Sequence, residues 1–121
     1  MGLRCFIVDD STDFLDAARS RLESDGVTVV GVASTIDAAL AQLDGAEPDV
    51  VLVDVNLGSE SGLDLARRIQ TETTVDPAQV VLISTHAAED LIDLVESVPA
   101  AALLSKTALS GVALRRILDD R

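Results

Sequence analysis

Acidic, hydroxyl and amino side chains stand directly after four short strand-like runs. Asp9 and Asp10 follow the stretch 3–8, Asp54 and Asn56 follow 50–53, Ser84 and Thr85 follow 80–83, and Ser105 and Lys106 follow 101–104. Carboxylates gathered at one point repel one another unless a cation joins them. Hard oxygen donors of this kind suit Mg2+, which takes a few carboxylates, keeps several waters and completes its octahedron with phosphate oxygens. A carboxylate left over is then a candidate nucleophile, because aspartate can form an acyl phosphate. A lysine and a hydroxyl facing the same point would bind phosphoryl oxygens as charge develops on them. Lys106 is the only lysine in the chain, and every other basic residue is arginine. A compact ammonium is kept where a planar guanidinium would be a different tool.

That chemistry requires residues far apart in sequence to meet at one edge. Strands read at 3–8, 27–32, 50–53, 80–83 and 101–104, with the continuous apolar character of parallel strands covered on both faces. Helical spacing appears at Phe14, Ala18 and Leu22, and at Ile36, Ala39, Leu40 and Leu43. It recurs at Ala88, Leu91, Ile92 and Val95, and at Leu114, Ile117 and Leu118. Ser11, Thr35 and Ser110 stand where N-caps are wanted, and Gly26 and Gly45 where a helix end tolerates a left-handed residue. Five βα units in one chain predict an α/β fold, a five-stranded doubly wound parallel sheet between two helical layers. Ligands of such open sheets gather beyond the carboxyl ends of the strands. All the candidate residues fall there.

The length of 121 residues fits a single domain over 1–121 with no linker or repeat. Phe6 and Phe14 are the only aromatics, so Val, Leu, Ile and Ala must build the core. Twenty-one acids against nine bases give a formal charge of −12, which argues against direct binding to nucleic acid or an anionic membrane. The single cysteine, Cys5, excludes disulfide frameworks and zinc or iron–sulfur sites and reads as a small buried hydrophobe. No run is long enough for a membrane span or export signal, so a cytoplasmic location is expected.

Four motifs in order carry a family resemblance: Phe6-Ile7-Val8-Asp9-Asp10, the stretch 49–57 containing Asp54 and Asn56, Val80-Val81-Leu82-Ile83-Ser84, and Leu104-Ser105-Lys106. Together, across essentially the whole chain, they resemble the response-regulator receiver domain, the phosphorylated module of bacterial two-component signalling. The resemblance implies a flavodoxin-like (βα)5 sandwich. It implies that Asp54 accepts a phosphoryl group from a histidine kinase or phosphotransfer protein. Asp9 and Asp10 would hold Mg2+ together with Asp54 and the Asn56 backbone carbonyl, while Ser84 and Lys106 contact the phosphoryl group. No enzyme activity is expected beyond self-catalysed phosphotransfer and autodephosphorylation. The output would be a DNA-binding transcriptional regulator. The alternative is a stand-alone or phosphorylation-independent receiver acting only through protein contacts.

Other classes fit less well. A phosphatase of the haloacid-dehalogenase type needs a second acid two residues after its nucleophile, where this chain has Asn56. A nucleotide-binding fold wants a glycine-rich turn after the first strand, and Asp9-Asp10-Ser11-Thr12 has no glycine. The chain also departs from the receiver pattern. Leu103 replaces the usual switch aromatic, Thr107 the usual proline after the lysine, and Thr85 a usual small residue. His86, the only histidine, lies where the family tunes acyl-phosphate lifetime. Gly58 and Gly62 match the flexible loop after the acceptor. Without a ring at Leu103, a modest population shift is expected. Its outlet would be the fourth helix–fifth strand–fifth helix face (segments near 88–95, 101–104 and 114–118), which would also serve a homodimer.

Overall fold

The computed structural model describes residues 2–85 and 96–119. Five strands form one sheet: β1 (Arg4–Val8), β2 (Thr28–Ala33), β3 (Val50–Asp54), β6 (Val80–Ser84) and β7 (Ala102–Ser105). Their order is β2-β1-β3-β6-β7, and every pairing is parallel. The fold is therefore the α/β doubly wound sheet expected. The winding direction reverses between β1 and β3, which lie side by side with Val8 opposite Val53. Asp9 and Asp54 are the next residue after Val8 and the next after Val53, so they emerge together.

Alternation along the strands sends side chains into two cores. Cys5, Ile7, Val50, Leu52, Val81 and Ile83 pack with Leu15, Ala18 and Leu22 of α1 (Thr12–Ser24) and Leu114 of α4 (Gly111–Asp119). Phe6, Val8, Val51, Val53, Val80 and Leu82 pack with α2 (Ile36–Ala46) and α3 (Gly62–Glu72). Burying each such Val, Leu or Ile contributes about 1.5–3 kcal/mol. Burial also pushes the Cys5 thiol up to about 12. Phe6 has room because β2 carries an extra residue opposite β1 and presents Gly31 there. A Cβ on Gly31 would stand 2.6 Å from the ring.

Local signals mostly act as their chemistry dictates. Ser11, Thr35 and Ser110 each accept a backbone N–H in the first turn of a helix. Gly26 takes a left-handed φ of 84° after α1. Gly45 does not end α2. It lies inside the helix, and Glu47 takes the left-handed turn at φ 49°. Arg4 makes that end workable by donating Nε and Nη2 to the Glu47 and Ala46 carbonyls at 3.1 and 2.6 Å. The buried stripe of α1 runs through Leu15, not Phe14, which is half-buried. The helix after β3 is held by Leu65, Ala66 and Ile69.

The glycine-bearing loop after β3 is also more ordered in shape than expected. It folds into a small antiparallel hairpin, β4 (Asn56–Leu57) and β5 (Glu60–Ser61), turning through Gly58 at φ 74°. Glu60 from this hairpin accepts the Ile36 N–H at 3.0 Å and caps α2. The turn after α1 likewise caps α4, with Gly111 N–H donating to Asp25 Oδ2 at 2.8 Å. The expected helix at Ala88, Leu91, Ile92 and Val95, and His86, lie outside the described residues. No peptide bond among the described residues is cis, and Thr107 lies in a single 3-10 turn, Lys106–Ala108.

Candidate functional site at the carboxyl edge of the sheet

Asp9 is fully buried, Asp54 is 6% exposed, and Asp10 points to the surface. One carboxylate oxygen from each of the three lies within 4.8 Å of the others. Backbone geometry holds two of them. Asp9 Oδ1 accepts the Ser11 N–H at 2.8 Å, and Asp54 Oδ1 accepts the Asn56 N–H at 3.1 Å. The single lysine reaches in from the 3-10 turn after β7. Its Nζ donates to Asp54 Oδ2 at 3.1 Å and stands 2.6 Å from Asp9 Oδ2. The second contact is a close ion pair to a fully buried carboxylate oxygen. The Phe14 ring lies against the same ammonium, with its centroid 4.3 Å from Nζ.

Burial raises the Asp54 carboxyl above the usual range. The Asn56 N–H and Lys106 pull it down, the Asp9 charge pushes it up again, and the net direction is upward. Burial works against the Lys106 charge as well, but Asp9 and Asp54 outweigh it and hold the ammonium above the ordinary lysine range. Two of the three clustered carboxylates, Asp9 and Asp54, thus share this ammonium. The clustered, all-oxygen donor set of Asp9, Asp10 and Asp54 fits a hard divalent cation such as Mg2+.

Two glycines fix the frame around these acids. A Cβ on Gly62 would lie 1.8 Å from the Asp54 carbonyl oxygen, so only glycine lets α3 begin there. Gly62 N–H donates to Val55 O at 2.9 Å, and Val55 N–H to Ile83 O at 3.0 Å. Gly58 approaches the other side, where a Cβ would be 3.0 Å from Asp10 Oδ2. Ser84, 5% exposed, ends β6 one residue beyond Ile83, the register partner of Asp54. Asn56 keeps its side chain outside, with Oδ1 accepting the Gly58 N–H at 3.1 Å. Thr85, Lys106, Thr107, Phe14 and Arg21 line a cleft of about 470 Å³ beside the cluster.

The structure therefore brings Asp9, Asp10, Asp54 and Lys106 together and places Ser84 and Asn56 at the same edge. Phe14 and the close approach of Gly62 are additions that sequence reasoning did not make. The signal available for Phe14 was its rarity, as one of two aromatics in the chain.

Residues 5–117 match the family model described as the response regulator receiver domain. The chain belongs to this family. It is the receiver domain of two-component response regulators, a family whose members generally bind Mg2+ at an acidic pocket. A protein-glutamate methylesterase/protein-glutamine glutaminase of Natronomonas pharaonis is 31% identical over 86 residues, covering 71% of this chain and 23% of that protein. The transcriptional regulatory protein YvfU of Bacillus subtilis is 31% identical over 86 residues, covering 70% of this chain and 42% of that protein. The matches thus take in about a quarter of the first of these curated relatives and under half of the second. The signal receiver domain of the response regulator NarL from Mycobacterium tuberculosis superposes with a TM-score of 0.79 at 27% identity, covering 98% of this chain and 95% of that one. No described helix of the receiver domain is long and apolar enough to cross a membrane.

Proposed function

We propose that this receiver domain accepts a phosphoryl group on Asp54 from a histidine kinase or phosphotransfer protein, in a reaction that depends on Mg2+. The observation that carries this reading is Asp54 itself. It is a nearly buried carboxylate gripped by the only lysine and clustered with two further acids. A carboxylate oxygen of Asp54 attacks the phosphorus of the donor phosphohistidine. The P–O bond forms as the P–N bond breaks, the bonding pair stays on the imidazole nitrogen, and that nitrogen takes a proton from solvent.

The Asn56 N–H keeps the carboxylate oriented, and the Lys106 ammonium answers the charge that moves onto the phosphoryl oxygens. Ser84, at the end of the neighbouring strand, supplies a hydroxyl to the phosphoryl group. Asp9, Asp10, Asp54 and the Asn56 carbonyl would hold Mg2+, which when bound supplies positive charge toward the phosphoryl oxygens. Loss of the phosphoryl group to water follows from the same residues, so the domain is a self-catalysed switch whose co-reactants are the phosphodonor and water.

A cytoplasmic transcriptional regulator with a DNA-binding output is the setting this reading favours, supported by the likeness to YvfU. Contacts with the output or with a second copy would use β7, α4 and the segment between β6 and β7. Val112 on α4 is the large apolar side chain left most open among the described residues, at 58% exposure. The test is intact-mass analysis after incubation with acetyl phosphate and Mg2+. One phosphoryl group should appear on the wild-type chain and none on Asp54→Asn. Full incorporation by that variant would overturn the assignment.

A further inference from the structure

One of the two aromatic side chains in the chain lies against its only lysine. Phe6, the other aromatic, is committed to the core against Gly31. Phe14 is half-buried on the first turn of α1, and its backbone is chained to the acid cluster. Its N–H donates to Ser11 Oγ at 3.2 Å, and the Ser11 N–H donates to Asp9 Oδ1 at 2.8 Å. The ring is therefore placed by the same backbone that places Asp9.

Lys106 arrives from the opposite side on a flexible stem, whose ordering costs rotamer entropy. Among the described residues, three contacts locate its ammonium: Asp9 Oδ2, Asp54 Oδ2 and the Phe14 ring. The side chain is left 13% exposed. The ring face carries negative electrostatic potential and attracts an ammonium, more so when water is excluded. A leucine would fill similar space without that attraction. A cation held by Asp9 and Asp10 would take over the negative charge that Lys106 now shares. The ring then supplies a larger part of what keeps the ammonium beside Asp54.

We propose that Phe14 is a positioning residue for phosphoryl transfer, its ring holding the Lys106 ammonium against the Asp54 carboxylate. The rate consequence rests on Asp54 being the acceptor; the contact itself does not. Because the chain has one lysine, isotope-labelled lysine gives one ε-methylene NMR signal, and that signal reads the ring directly.

The experiment records this signal and the rate of Asp54 phosphorylation by acetyl phosphate with Mg2+, in wild type, Phe14→Leu and Phe14→Tyr. The wild-type signal should be displaced upfield by the ring current, stay displaced in Phe14→Tyr and return to the free-lysine position in Phe14→Leu. The rate should fall about five- to tenfold in Phe14→Leu and stay within about twofold of wild type in Phe14→Tyr. An undisplaced wild-type signal would overturn the proposal, and so would a wild-type rate in Phe14→Leu. Absence of any wild-type phosphorylation would instead overturn the acceptor reading, and the lysine signal would still decide whether the ring holds the ammonium.

Discussion

Two depressions mark opposite ends of the parallel sheet, and they differ in kind. The one at the amino ends of β6 and β7 is the larger, about 570 Å³, and is lined by Pro77, Ala78, Val98, Pro99, Ala101 and Ile117 among others. None of its described lining residues ionises. The one at the carboxyl ends is about 470 Å³ and opens beside Lys106 and the acid cluster. Size does not mark the chemistry here; strand direction does. Residues just past the strand ends leave the pleat and meet across neighbouring loops.

The contrast breaks most sharply at Lys106. Removing its ammonium in Lys106→Ala should slow Asp54 phosphorylation by about 10²–10³-fold, the usual cost of losing one donor to a developing oxyanion. Ile117→Ala, in the larger depression, should lower the urea midpoint and leave the phosphorylation rate unchanged. Equal rate losses in the two variants would erase the distinction between the ends.

Gly62→Ala tests whether the acidic end is also the more exacting in shape. The new Cβ would overlap the Asp54 carbonyl, so the backbone must move, at a cost of about 3 kcal/mol in a urea titration.

Smaller effects come from charge. A carboxyl whose folded pKa is raised costs stability once ionised, fully so above the raised value. Asp54→Asn should therefore raise the melting temperature at neutral pH without divalent cations. Mg2+ at about 100 times its Kd should stabilise the wild type by about 2.7 kcal/mol, and Asp10→Ala distinctly less.

The smallest effect lies at Asp25, away from both depressions. The Gly111 N–H first, then Arg21, hold its carboxyl below the usual range. Its contribution is therefore present above the ordinary aspartate pKa and fades as pH falls through the lowered one. Asp25→Asn should melt lower than wild type at pH 7, with the gap closing in the same thermal scans as pH falls below the ordinary aspartate pKa. A gap independent of pH would assign the cap to shape alone.

How much of this was legible in the sequence follows from range. Strands covered on both faces write themselves as unbroken apolar runs, so Val50–Asp54 and Val80–Ser84 could be read almost to the residue. The acids and Lys106 were legible because each interrupts such a run at its end. Gly62 was seen only as a loop glycine, since what it avoids is a carbonyl eight residues earlier, brought back by the hairpin. Phe14 was counted into the α1 stripe by spacing, and the lysine that draws it elsewhere lies across the fold. Glu47 was invisible as a helix end because Arg4, from β1, supplies what a glycine would have made unnecessary.

Cys5 has a use that its burial creates. Its sulfur sits in the strand paired with both β2 and β3, fully covered, and its thiol is pushed up to about 12. Alkylation at neutral pH requires the thiolate and open access to it, so a reagent must wait until the centre of the sheet comes apart. The labelling rate of this one sulfur is therefore a clock for whole-domain opening. It can be read by mass in a mixture, with no dye and no engineered probe.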